Sequence, residues 1–136
     1  MAKIDIDKLS LEVMTQLKIY AEATVEIVES AVEETAKETV NELKVTSPVG
    51  ATGDYSESWK KKRNKNARGR YRYDMTVYSE KPNYRLTHLL EYGHALRRGG
   101  RSIGSAKAFP HIKDAEIHAA KRLENKIIRG IEEMNR

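Results

Sequence analysis

His88, Glu91 and His94 stand at three-residue intervals and are the nearest thing in this 136-residue chain to a metal-binding set. On a helix they share one face, and His111 and His118, seven apart, share another. Zinc sites of this kind use defined spacings, yet H-E-x-x-H is absent and so is cysteine. The expected role of His88 and His94 is therefore to hydrogen-bond the loops that follow them. Gly99 to Gly104 imitates a phosphate-binding loop, but Ser105 stands where lysine is required. Ser56, Ser58, Ser102 and Ser105 lie in no nucleophile-elbow context. The chain reads as a non-enzyme, without catalytic residues, cofactor or metal.

The remaining chemistry is that of contact with anions. Lys60 to Arg70 is a dense basic run, and Tyr71 and Tyr73 stand beside it where they could stack on bases. Such a run serves equally as a solvated turn or as a docking surface for acidic neighbours. Arg63, Lys65, Arg68 and Arg70, with Arg97, Arg98 and Arg101 further on, are the candidates for touching a partner or DNA.

The elements that must carry these groups follow from periodicity. Met14, Leu17, Ala21, Val25, Val28, Val32, Ala36, Val40 and Leu43 recur at the helical period, and no glycine or proline interrupts residues 2 to 47. This predicts a helix from about Lys8 to Lys44, roughly 55 Å long, against a diameter of roughly 35 to 40 Å for a compact chain of this size. Either the helix kinks or another subunit covers its overhanging end. The period and the scarcity of leucine argue against a heptad coiled coil.

A hairpin is expected next, with runs Tyr55 to Lys62 and Tyr71 to Ser79 joined by a tip at Asn64 to Gly69. Trp59, the only tryptophan, is expected to anchor this sheet to the helices. Leu86 to Tyr92 has the spacing of a two-turn helix that Gly93 can end. Arg97-Arg98-Gly99-Gly100-Arg101 reads as a mobile cationic loop that orders against a partner, and whether a third strand lies between Ala95 and Ala108 stays open. Pro110 is suited to open a last helix, with Phe109 stapling its entry. That helix carries the stripe Ile112, Ala115, Ala119, Leu123, Ile127, Ile131 and Met134. The class is α+β in a single domain over residues 1–136, with a helical arm over 1–45 and a small antiparallel sheet plus a short and a C-terminal helix over 46–136.

Charge is unevenly spread. Residues 1–47 carry net −5, residues 48–72 net +6 and the remainder net +4, which together give the chain's +5. An acidic arm and a basic midsection suit head-to-tail packing of identical subunits, and pairing within one chain is the alternative. The absence of cysteine fits assembly in a reducing cytoplasm. No apolar run approaches the ~20 residues of a membrane span.

Taken in order, Ser47-Pro48-Val49, Thr52-Gly53, Ser58-Trp59, the block Tyr84 to Ala95, Gly99-Gly100-Arg101 and Pro110-His111-Ile112 resemble the small tail-component proteins of long-tailed phages. The resemblance runs from Thr46 to the C-terminus, is sharpest from Leu86 to His94, and meets the first helix only in length and charge. It implies a structural virion protein that completes tails or joins heads to tails as a neck adaptor. Its partners would be other phage neck or tail proteins and copies of itself in a ring. The free protein can be monomeric, and any DNA contact would be weak and sequence-blind. The alternative is a small basic nucleic-acid-binding protein using residues 60–72.

Overall fold

The computed structural model describes residues 6–64 and 73–136. The chain begins in one unbroken helix, α1, Ile6–Thr46, about 60 Å long at 1.5 Å per residue. It exceeds the expected Lys8 to Lys44 by two residues at each end and has no kink-forming residue within it. Thr15, Thr24, Thr39 and Thr46 each donate a hydroxyl proton to the carbonyl four residues earlier, which satisfies these β-branched polar residues inside the helix's own ladder.

The last helix, α4, Ile112–Met134, runs antiparallel to α1. Its register is written in ion pairs: Glu42 meets His118 and Arg122, Glu38 meets Arg122 and Lys126, and Glu34 meets Lys126. Beyond them Gly130 lies against Ile27, so closely that a Cβ on the glycine would stand 2.6 Å from Ile27 Cγ2. The expected stripe of α4, from Ile112 to Met134, is buried or half-buried at every position.

On α1 the contact row is Ile27, Ala31, Thr35 and Thr39, spaced four apart, and the close approach of the helices comes from small residues at Ala31, Thr35 and Thr39 and from Gly130 opposite Ile27. The 3.6-residue stripe expected from the sequence divides along its length. Ala36 and Leu43 are buried, Val25, Val28, Val32 and Val40 are half-buried, and Met14, Leu17 and Ala21 are exposed. The reason is that α4 ends at Met134, level with Ala23, leaving the first part of α1 without a packed element beside it among the described residues.

Between these helices lies a short helix, α2, Asp54–Glu57, and the hairpin of β1, Trp59–Arg63, and β2, Met75–Ser79. The strands pair antiparallel from Trp59↔Ser79 to Arg63↔Met75. The expected first run was too long, because Tyr55 to Glu57 is helical. Gly53, at φ 74, turns the chain into α2, and the hydroxyls of Ser56 and Ser58 close the turn on the carbonyls of Gly53 and Tyr55. The second run begins at Met75 rather than Tyr71, and most of the expected tip, with Tyr71, lies outside the described residues.

Trp59 anchors the hairpin as expected: it is 3% exposed and joins Leu43, Tyr55 and Ala115 in the core. Its Nε1–H donates to Ser47 Oγ at 2.8 Å, so the indole's polar edge is satisfied. After a 3-10 turn at Asn83–Arg85, helix α3 occupies Leu86–Tyr92 and ends at Gly93, at φ 74, where the spacing placed it.

The expected mobile loop is instead a second hairpin. Strands β3, His94–Arg98, and β4, Arg101–Ala106, pair antiparallel and form a sheet separate from β1–β2. Gly99 and Gly100, at φ 59 and 81, supply the two positive φ values that a tight hairpin turn demands. Nor does the Ala-Phe-Pro-His segment open α4. The helix starts at Ile112, and Phe109 is 51% exposed rather than stapled, while its backbone N–H donates to Leu90 O at 2.7 Å.

Candidate interaction site

The start of α4 is fixed by a carboxylate from another helix. Glu91 of α3 accepts the backbone N–H groups of His111 and Ile112 on Oε2, at 2.7 and 2.9 Å, and that of Lys113 on Oε1 at 3.0 Å. These are three of the donors that a helix N-terminus leaves without an intrahelical partner. Burial opposes ionisation of Glu91, but the three N–H groups and His111 outweigh it and hold the carboxyl below its usual range.

His111 extends the network. Its Nδ1 faces two acceptors, Phe109 O at 2.6 Å and Glu91 Oε2 at 3.2 Å, so this nitrogen carries the proton. In the neutral ring Nε2 then accepts the hydroxyl proton of Tyr55 at 2.7 Å. Burial, reinforced by the charge of Glu91, pushes the Tyr55 phenol up to about 12. A carboxylate, an imidazole and a hydroxyl in series have the form of a proton relay, yet His111 is 2% and Glu91 6% exposed. What this chain of bonds does is bind α2, α3 and α4 into one unit. Sequence reading missed the capping role of Glu91; its one signal is a lone acid inside the apolar run Leu86 to Tyr92.

The histidines do not converge. His88 packs its ring at 4.9 Å on Tyr92, His94 opens β3 with an exposed side chain, and His118 pairs with Glu42. The loop hydrogen bonds expected of His88 and His94 are not made by these rings among the described residues. No group of three potential metal ligands occurs among the described residues.

The basic candidates separate into three fates. Arg63 on β1 reaches back to α1, where its guanidinium bonds Glu29 at 3.0 Å and Glu33, and both carboxylates hold it more firmly protonated. Lys65, Arg68 and Arg70 lie outside the described residues. Arg97, Arg98 and Arg101 are exposed at the end of the β3–β4 hairpin, with Arg98 directly across the ladder from Arg101. On β1, Lys60, Lys61 and Lys62 are also exposed, and Lys62 Nζ lies 4.9 Å from the Tyr78 ring centre.

Two surfaces stand out as contact faces. The arm exposes Leu9, Leu11, Val13, Met14 and Leu17, with Leu11 at 70%. The β3–β4 hairpin exposes Leu96 and Ile103, the latter at 63%, beside its three arginines. Intramolecular pairing accounts for part of the arm's acidity, through Arg63 and the bases of α4. Glu12, Glu22 and Glu26 make no ion pair among the described residues. No described helix is long and apolar enough to cross a membrane.

The protein family described as "Bacteriophage HK97-gp10, putative tail-component" matches residues 12–93, from the arm through α3 to Gly93. The match takes in the first helix from Glu12 onward, which the resemblance read from the sequence meets only in length and charge, and stops before the β3–β4 hairpin. No curated protein and no solved structure matches the chain significantly. With more than half of its length inside the match, the chain belongs to the HK97-gp10-like family of bacteriophage tail components.

Proposed function

We propose that this protein is a non-enzymatic assembly adaptor of a tailed phage or prophage. It acts at the head–tail junction or tail end, where copies dock into a ring against neighbouring neck or tail proteins. It resides in the virion and assembles in the host cytoplasm. The observation that carries this reading is the overhang of α1, in which residues 7–22 are all exposed while bearing seven large apolar side chains, Leu9, Leu11, Val13, Met14, Leu17, Ile19 and Tyr20. A solitary globule has no use for such a helix, whereas a subunit completed by its neighbours does. Family membership supplies the setting.

Particles from a strain lacking the gene are the test. Separate filled heads and tails are expected by electron microscopy, and normal virions would overturn the role. A monomer by light scattering fits the reading, because such a ring can form on its template alone.

A second reading, nucleic-acid binding, is favoured by the three exposed lysines side by side on β1. The tie of Arg63 to α1 weakens it. Tight binding of random duplex DNA whose log affinity falls steeply with log salt would favour it; a flat slope at low salt removes it.

A further inference from the structure

Two elements of this chain fold with little to fold against. One is the arm of α1 before Ala23, where Leu9, Val13 and Leu17 line one exposed face. The other is the β3–β4 hairpin, exposed at every position from His94 to Ser105 and packed extensively on no other element among the described residues. A two-stranded hairpin by itself is marginally stable in water. This one also sets Arg98 opposite Arg101, where like charges destabilise the ladder.

The two elements lie at opposite ends of α4. The arm projects past Met134, whereas the hairpin is rooted at the other end, where Gly93 packs on Ala106 and Ala108 and Glu91 holds His111. The 23 residues of α4 span roughly 34 Å, so the arm does not cover the hairpin of its own copy. Each nevertheless has what the other lacks. The hairpin offers Ile103 and three arginines, and the arm offers an apolar face that holds Glu12, an acid with no ion pair among the described residues.

We propose that the arm of one copy docks on the β3–β4 hairpin of the next. The inference rests on the ring-forming adaptor reading and specifies its contact. Because the two surfaces differ, the contact is heterologous and propagates from copy to copy until it closes. Glu12 on the arm's apolar face meets the arginines of the hairpin, and that face covers Leu96 and Ile103.

The chain has no cysteine, so introduced ones report without ambiguity. In the full chain, Val13→Cys and Ile103→Cys are combined and oxidised, both in concentrated pure protein and in particles from producing cells. The expected result is a ladder of disulfide-linked oligomers, about tenfold stronger than from either single variant. Mixing the two single variants should give a hetero-linked dimer and nothing larger. Replacing Arg97, Arg98 and Arg101 with Glu should weaken the ladder about tenfold, and adding Glu12→Lys should restore part of it.

A ladder in particles alone also supports the proposal, with assembly then depending on a template. The proposal is overturned if Val13→Cys links to itself as well as to Ile103→Cys, which means arm bundling. It is equally overturned if tailed particles containing the double variant yield no ladder, and in that case the adaptor reading survives. If particles lack the protein while pure protein forms the ladder, the adaptor reading fails and the docking contact stands.

Discussion

Glu91 Oε2 and His111 are joined twice, through the histidine's backbone N–H at 2.7 Å and through its ring Nδ1 at 3.2 Å. A side chain on α3 thus does for α4 what a capping serine or aspartate usually does from the residue before a helix. The arrangement makes the entry of α4, and with it the root of the β3–β4 hairpin, depend on one carboxylate. Glu91→Ala strands three backbone donors and is expected to cost on the order of 3 kcal/mol in urea unfolding. Glu91→Gln keeps an acceptor and should cost about half that.

The same carboxylate sets the acid limit. Its folded pKa is depressed from the ordinary 4.5, so the unfolded chain takes up its proton first as pH falls. The stabilisation is present above that value and is lost as pH drops through the folded pKa. Stability measured from pH 7 down to pH 3 should decline, and Glu91→Gln should flatten that decline.

Tyr55 sets an alkaline counterpart. Its pKa is raised from 10.0 to about 12, so the folded state favours the neutral phenol that donates to His111. This contribution is complete below pH 10 and disappears as pH rises toward 12. Tyr55→Phe should remove that alkaline slope and leave Nε2 of His111 unpartnered, at about 1 to 2 kcal/mol.

Gly93 and Gly99 both have positive φ, at 74 and 59, but differ in what surrounds them. A Cβ at Gly93 would meet Ala106 O at 2.7 Å, whereas nothing lies within 4 Å of one at Gly99. Gly99→Ala is expected to cost about 1 kcal/mol from backbone strain. Gly93→Ala should cost several-fold more by thermal unfolding, since backbone must move, and equal costs would contradict the close approach of Ala106 to Gly93.

Removing residues 1–20 takes away a stretch whose described side chains are exposed. Unfolding stability should stay within about 0.5 kcal/mol of the full chain, while particle assembly is lost. A large drop in stability would mean that the arm folds back on its own body.

Much of the architecture was legible because it is local. The period from Met14 to Leu43, the glycine after Tyr92 and the stripe from Ile112 to Met134 each state an element through spacing alone, and each element is there. The errors fall where local signals compete. Tyr55 to Glu57 carries strand-like residues, but a glycine turn and two serine hydroxyls make it helical. The Arg97 to Arg101 segment looked too polar and too glycine-rich to order, yet its adjacent glycines are what a two-residue hairpin turn requires.

By itself the sequence determined that the first helix would be longer than a compact body of this size, and it left open whether that helix kinks or overhangs. Only the tertiary structure decided where the overhang begins, which acids of the arm stay unpaired and which carboxylate caps α4. Those outcomes depend on where α4 stops along α1 and on contacts between residues twenty or more positions apart. Helical period and turn chemistry act between near neighbours in the chain, so no local pattern records them.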